Sequence, residues 1–196
     1  YSEIMEMFYG IYFSELVSKN TGKVLSIVPE SFFVLDIPIS SGERTVHTLY
    51  ECFDLFTQPE YLEGDNAWYN EETKAKENVK KQYSFWNFPN IVVIALQRFS
   101  PDGLHKMSNQ IEFPINDLDL SPYVRGYNAN NYMYDLFGVC NHVGNVSGGH
   151  YTAFVKNSEN GWVHYNDNIV EKVQNPNVVI SPMAYCLFYR KKNNLL

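Results

Sequence analysis

The run Gly148-Gly149-His150-Tyr151-Thr152-Ala153-Phe154 and the segment Tyr165-Asn166-Asp167 hold the residue types best suited to chemistry in this chain. His150 and Asp167 are seventeen residues apart (167 − 150 = 17). An imidazole that serves as a base needs one ring nitrogen free and the other held by an acceptor, and a carboxylate on a neighbouring strand provides such an acceptor. Two glycines ahead of the histidine leave a groove without side chains. His150 and Asp167 are thus a candidate base and orienting acid, two members of a triad that lacks its nucleophile.

The elements that must position this pair are strands. Tyr132, Tyr134 and Leu136 alternate with Met133, Asp135 and Phe137, and the strand pattern resumes at Tyr151-Thr152-Ala153-Phe154-Val155. Between them, Asn141 to Gly149 has the composition of a loop. After the turn Asn157-Ser158-Glu159-Asn160-Gly161, Trp162 to Tyr165 reads as the next strand, and a hairpin there would bring Asp167 back beside His150. Upstream, a short helix is expected from Ser2 to Tyr9. Ile11–Val17 and Lys23–Val28 follow as a hairpin across Asn20-Thr21-Gly22, then comes a single strand from Glu30 to Ile37 closed by Pro38. Leu49, Cys52, Phe53 and Phe56 fall on one helical face, so Leu49 to Phe56 is expected to be a helix.

The three cysteines are tested one by one as nucleophiles. Cys52 lies on that apolar helix face and Cys186 inside an apolar strand, which makes both core residues. Cys140 is near the histidine in sequence, but a lone Cys in a strand pattern is usually a small buried hydrophobe. Reactive thiols sit at helix N-termini or beside an imidazolium, and Cys140 has no helix terminus at hand. A metal trio of Cys140, His142 and His150 lacks a partner carboxylate in any recognised spacing.

Composition sets outer bounds. With 196 residues, 45% hydrophobic and 16% aromatic, the chain has ample material for a core. A net charge of −7 argues against nucleic acid as the main partner, because phosphate binding concentrates Lys and Arg on one face. Lys74, Lys76, Lys80 and Lys81 form a local cluster that reads as a solvated face. No apolar run reaches the ~18 residues of a membrane span. The irregular cysteine spacing does not form a disulfide framework, which favours a reducing compartment, cytoplasmic or nuclear.

Taken with the histidine segment, several other stretches resemble the C-terminal part of the ubiquitin-specific proteases, papain-like cysteine proteases that cut after the terminal Gly-Gly of ubiquitin. They are the apolar run Pro89 to Phe99, Phe113-Pro114 with Leu118-Asp119-Leu120 and Tyr123, the closing segment Ala184 to Tyr189, and Leu49 to Phe56 ahead of Leu62-Glu63-Gly64. The resemblance implies an α+β, papain-like fold with fingers over about 9–83 and a mainly antiparallel β palm over about 84–196, the thumb half being missing. It implies His150 as the catalytic histidine, Asp167 as its orienting acid and Asn168 as an auxiliary polar group. Gly148, Gly149 and Tyr151 would line the channel for ubiquitin's tail, with His142 contacting substrate or shaping the bordering loop. Arg98 and Phe99 would either reach the ubiquitin surface or serve sheet packing and a surface ion pair.

The departures from the family pattern matter equally. The family's Asn-then-Cys box is not found before His150, and Tyr1 is not Met, so a fragment is expected whose missing N-terminal half carries the Cys and the oxyanion donor. Many members hold zinc at the fingertips on two Cys-x-x-Cys pairs. The matching stretches Ser14–Asn20 and Trp68–Thr73 contain no cysteine, so neither structural zinc nor a cofactor is expected. The implied partner is ubiquitin or a ubiquitinated protein, and the alternative is a non-catalytic ubiquitin-binding scaffold that kept the fold. Specificity for a ubiquitin-like modifier stays open.

Overall fold

Thr48 shows how local sequence starts an element. Its hydroxyl accepts from the Glu51 amide at 3.2 Å, and the Glu51 carboxylate accepts in return from the amides of Thr48 and His47, both at 2.9 Å. This capping box satisfies amides that no helical carbonyl reaches. Those amide donors also hold the Glu51 carboxyl below the usual carboxylate range. The helix that follows buries Leu49, Cys52 and Phe53, as the three-four spacing requires.

In the computed structural model, residues 2–41, 44–100, 102–159 and 161–192 are described; Tyr1, and Asn160 of the expected turn, lie outside them. The elements run α1 (Glu3–Phe8), β1 (Gly10–Ser18), β2 (Val24–Phe32), β3 (Val34–Pro38), β4 (Ser40–Ser41), β5 (Arg44–Thr45), α2 (Leu49–Thr57), β6 (Glu60–Leu62), β7 (Trp68–Asn70), β8 (Ala75–Glu77) and β9 (Val79–Asn87). They continue with β10 (Ile91–Gln97), β11 (Leu118–Asp119), β12 (Met133–Asn145), β13 (Gly148–Asn157), β14 (Gly161–Asn166), β15 (Ile169–Lys172) and β16 (Ala184–Lys191). One sheet has the order β2-β1-β9-β6. A larger one runs β15-β14-β13-β12-β16-β10-β3, with β11 paired to β12. The larger sheet is antiparallel except where β10 meets β3. Among the described residues, no helix is long and apolar enough to cross a membrane.

The expected single strand from Glu30 to Ile37 is two strands in two sheets. β2 pairs with β1 and ends at Phe32, while β3 begins at Val34 and pairs with β10. Phe32 turns into the core, and Phe33 turns outward against the rings of Phe8 and Tyr9. Two large side chains of opposite orientation at a bend let the chain leave one sheet and enter the other, which alternation alone does not reveal. The two sheets are not separated at one point of the sequence. β9 runs to Asn87 in the smaller sheet, and Val34–Pro38 belongs to the larger.

The sheets and α2 share a core rich in aromatic rings. Phe85, fully buried on β9, lies 4.4 Å from Phe88, 5.5 Å from Phe56 and 6.0 Å from both Phe32 and Phe53, between ring centroids. One ring thus joins the smaller sheet to α2 and to the segment entering β10. Rings at these separations add edge and offset attraction to the burial of their area. The palisade continues under the larger sheet through Leu35, Ile37, Val92, Ile94, Leu96, Leu136, Leu187 and Tyr189.

Truncation at this hub is expected to be costly. Phe85→Ala should lower stability by about 3–5 kcal/mol, the range for a buried Phe whose cavity does not collapse, measured by urea denaturation. Thr48→Ala, which removes a cap and no packing, should cost about 1 kcal/mol in the same assay.

Candidate functional site

The histidine hairpin is built more regularly than its composition suggests. The stretch expected as a loop from Asn141 to Gly149 is mostly strand, with Asn141 facing Thr152, His142 facing Tyr151, Val143 facing His150, Gly144 facing Gly149 and Asn145 facing Gly148. Only Val146 and Ser147 lie outside the pairing, and the Ser147 amide donates to Asn145 Oδ1 at 2.9 Å. Glycine makes the tight ladder possible. Gly144 has φ +133°, and a Cβ there would stand 2.4 Å from the Gly148 carbonyl oxygen. A Cβ on Gly149 would stand 2.3 Å from His142 Nε2, whereas one on Gly148 would meet nothing within 4 Å. Gly149 is therefore glycine because of His142 and of the Val143 carbonyl oxygen, which a Cβ would meet at 2.4 Å, and Gly148 is the one that leaves open space.

The strands place His150 and its acceptor by alternation. Phe154 faces His164 across β13 and β14, with rings stacked at 4.6 Å, and Ala153 faces Tyr165. Facing residues of an antiparallel pair project to the same side, and neighbours along a strand project to opposite sides. His150 therefore shares a side with Asn166, and the residue after Asn166 falls to the other. His150 Nε2 donates to Asn166 Oδ1 at 2.6 Å. The pairing of His150 with Asp167 is not what the structure shows. Asn166 faces Ile169 in the ladder of β14 and β15, so Asp167 and Asn168 form the exposed two-residue turn, Asp167 with φ +50°.

An amide oxygen can only accept, so this bond fixes the proton on Nε2 and leaves the Nδ1 lone pair of His150 free. The ring is exposed, and Nδ1 is open to a donor approaching from outside this chain. Residue type alone favours Asp167, a carboxylate one position later, over Asn166 as the partner of an imidazole. The signal that finds Asn166 is parity counted back from the Phe154–His164 pair.

His142, Tyr151 and Gly149 lie on the opposite side of the hairpin. His142 is 4% exposed, its ring 4.7 Å from Tyr151, 5.8 Å from Tyr185 and 5.9 Å from Phe99. Lys106 Nζ stands 3.0 Å from its Nδ1 and donates to its carbonyl oxygen at 2.6 Å. Burial, then the Lys106 ammonium, holds the His142 pKa below the ordinary imidazole value; burial, then Arg98, lowers that of Lys106. Tyr151 covers His142 and keeps an exposed outer face, 56% accessible. Of the two roles open to His142, shaping the hairpin fits this burial.

Arg98 does not reach the surface or pair with a surface ion; it serves the packing of the sheet from inside. Its side chain is fully buried; Nε donates to the Ala184 carbonyl at 2.5 Å, and Nη1 donates to those of Met107 and Asn109 at 3.2 and 2.9 Å. It pins the end of β10 to the start of β16 and to the loop that carries Lys106.

None of the three cysteines serves His150. Burial pushes the Cys52 thiol up to about 12 and the Cys186 thiol up to about 11, and it raises that of Cys140 as well. Cys140 faces Ala153, an odd-numbered partner, so it projects to the side of the sheet away from His150. A thiol held protonated and on the wrong face is no nucleophile for this imidazole.

The family profile described as ubiquitin carboxyl-terminal hydrolase matches residues 1–189. Ubiquitin carboxyl-terminal hydrolase Usp2 of Drosophila melanogaster is 35% identical over 192 residues, covering 97% of this chain and 20% of that protein. Ubiquitin carboxyl-terminal hydrolase 19 of Homo sapiens is 38% identical over 172 residues, 80% of this chain and 13% of that protein. The chain thus spans a fifth or less of these curated relatives. Among solved structures, a chain of the yeast SAGA DUB module superposes with a TM-score of 0.81 at 28% identity, over 96% of this chain and 42% of that one. A chain of the SAGA Ubp8, Sgf11, Sus1 and Sgf73 module bound to monoubiquitin gives 0.80 over the same shares, also at 28% identity. The fold is that of a ubiquitin-specific protease, papain-like and rich in antiparallel β structure. A profile that spans nearly every residue, relatives at this identity and a shared fold all lead to one statement: the chain belongs to the ubiquitin carboxyl-terminal hydrolase family, cysteine-type deubiquitinases.

Proposed function

We propose that this chain supplies the histidine side of the active site of a thiol-dependent deubiquitinase. The observation that carries the reading is the 2.6 Å bond from His150 Nε2 to Asn166 Oδ1, which leaves Nδ1 as the free base. The nucleophile is a cysteine in sequence outside these residues. His150 Nδ1 takes the thiol proton, and the thiolate attacks the carbonyl of ubiquitin's terminal glycine. The imidazolium then protonates the departing amine, leaving a thioester. Water, deprotonated by the same nitrogen, releases ubiquitin's carboxylate. Asn166 keeps the ring in the tautomer that both steps need.

In this reading the smaller sheet corresponds to the fingers and the larger to the palm. Gly148 and the exposed face of Tyr151 border the path of ubiquitin's tail, since bare backbone admits an extended peptide closely. Gly149 and His142 support that border from behind. The partner is ubiquitin on a modified protein; the monoubiquitin bound to the related SAGA module supports this. A formal charge of −7 favours encounter with a basic protein surface. Three free thiols suit a reducing compartment, cytoplasmic or nuclear. A scaffold has no chemical need for an aligned His150–Asn166 pair.

In the full-length protein, His150→Ala should reduce ubiquitin–fluorophore hydrolysis by about 10³-fold or more. Asn166→Ala should also impair it, and the double variant should be little worse than His150→Ala, because the two act as a unit. Loss at Asp167→Ala should instead compound with that at Asn166→Ala, since Asp167 does not hold the ring. A fully active His150→Ala protein rejects the reading, and merging of the Asp167 and Asn166 losses rejects the division between them.

A further inference from the structure

His142 has a single arrangement of protons compatible with its neighbours. An ammonium has donors and no acceptor, so Lys106 Nζ, 3.0 Å from Nδ1, must donate to it, and the ring proton sits on Nε2. The same ammonium donates to the His142 carbonyl oxygen at 2.6 Å and so grips both the side chain and the backbone of one residue. On its far edge the ring lies against Gly149, where a Cβ would stand 2.3 Å from Nε2. Tyr151 on β13, Tyr185 on β16 and Phe99 surround the ring, and Arg98 stands beyond Lys106 as the next charge.

Gly149 is the residue immediately before His150, and Val143, immediately after His142, faces His150 in the ladder. Displacement of the His142 ring toward Gly149 would therefore move the backbone that carries the base. We propose that Lys106 is a positioning residue, whose ammonium fixes the tautomer and seat of His142 and thereby the location of the Gly149–His150 backbone. Lys106 does not touch the reacting atoms, because His142 and His150 project to opposite faces of the sheet. Its effect on rate comes through placement alone, to which attack geometry is sensitive.

The activity arm of the test rests on the deubiquitinase reading; the spectroscopic arm does not. In the full-length protein, Lys106→Met should lower kcat for ubiquitin–fluorophore hydrolysis by about 10- to 100-fold, the range for a misplacement near 1 Å, with KM changed by less than about threefold. Adding His142→Phe to Lys106→Met should cost little more, since both break one linkage. Long-range proton–nitrogen NMR of the His142 ring should show Nε2 protonated and Nδ1 bare in the native protein. In Lys106→Met it should show mixed tautomers and a His142 pKa raised toward the ordinary value, because the donor that favours the neutral ring is gone. A native protein without any turnover sinks the deubiquitinase reading and leaves the ring spectrum to decide on Lys106. A proton on Nδ1 in the native protein, an unchanged ring in Lys106→Met, or native kcat in that variant overturns the proposal.

Discussion

The strict alternation of side chains along β13 and β14 is the constraint on which the site depends. With Phe154 fixed against His164, every residue of the hairpin is assigned a face. His150 and Asn166 come together, Asp167 passes to the turn, and Cys140 and His142 go to the other side. A slip of β14 by one residue would turn Trp162, which is buried, to the other face and would exchange Asn166 for Asp167 at the ring. The apolar burial of Phe154 and Trp162 therefore sets the register that pairs His150 with Asn166. The hydrogen bond then uses a position that packing has already determined.

The hairpin divides its polar residues into two functions. On one face an exposed imidazole is held through Nε2. On the other, Lys106, His142 and the rings of Tyr151, Tyr185 and Phe99 form a nearly closed support. Arg98 joins that support to β10 and β16 through backbone carbonyls, a role suited to a planar fork of donors. Buried charge without a carboxylate partner is costly, and here carbonyl dipoles and a neutral imidazole take the partner's place.

Much of the fold was legible because apolar periodicity survives in the sequence. The three-four spacing from Leu49 to Phe56 marked α2, and the apolar run from Pro89 to Phe99 holds β10, whose residues Val92 to Leu96 are buried. What misled was composition without geometry. Asn141 to Gly149 looks like a loop because Gly, Asn and Ser favour turns, yet the glycines serve to let two strands approach. Glu30 to Ile37 looks like one strand because residue type carries no sign of the bend at Phe33.

The sequence by itself determined the family, the core of α2 and the long apolar strand, because those depend on residue type and on spacing within single elements. Tertiary structure decided which polar group meets His150, that Arg98 is interior, and that Lys106 grips His142 from thirty-six residues away. Each of those is a pairing between elements, fixed by register and by packing across the sheet. A linear chain records which residues alternate, but the partner that each one meets exists only once the strands lie side by side.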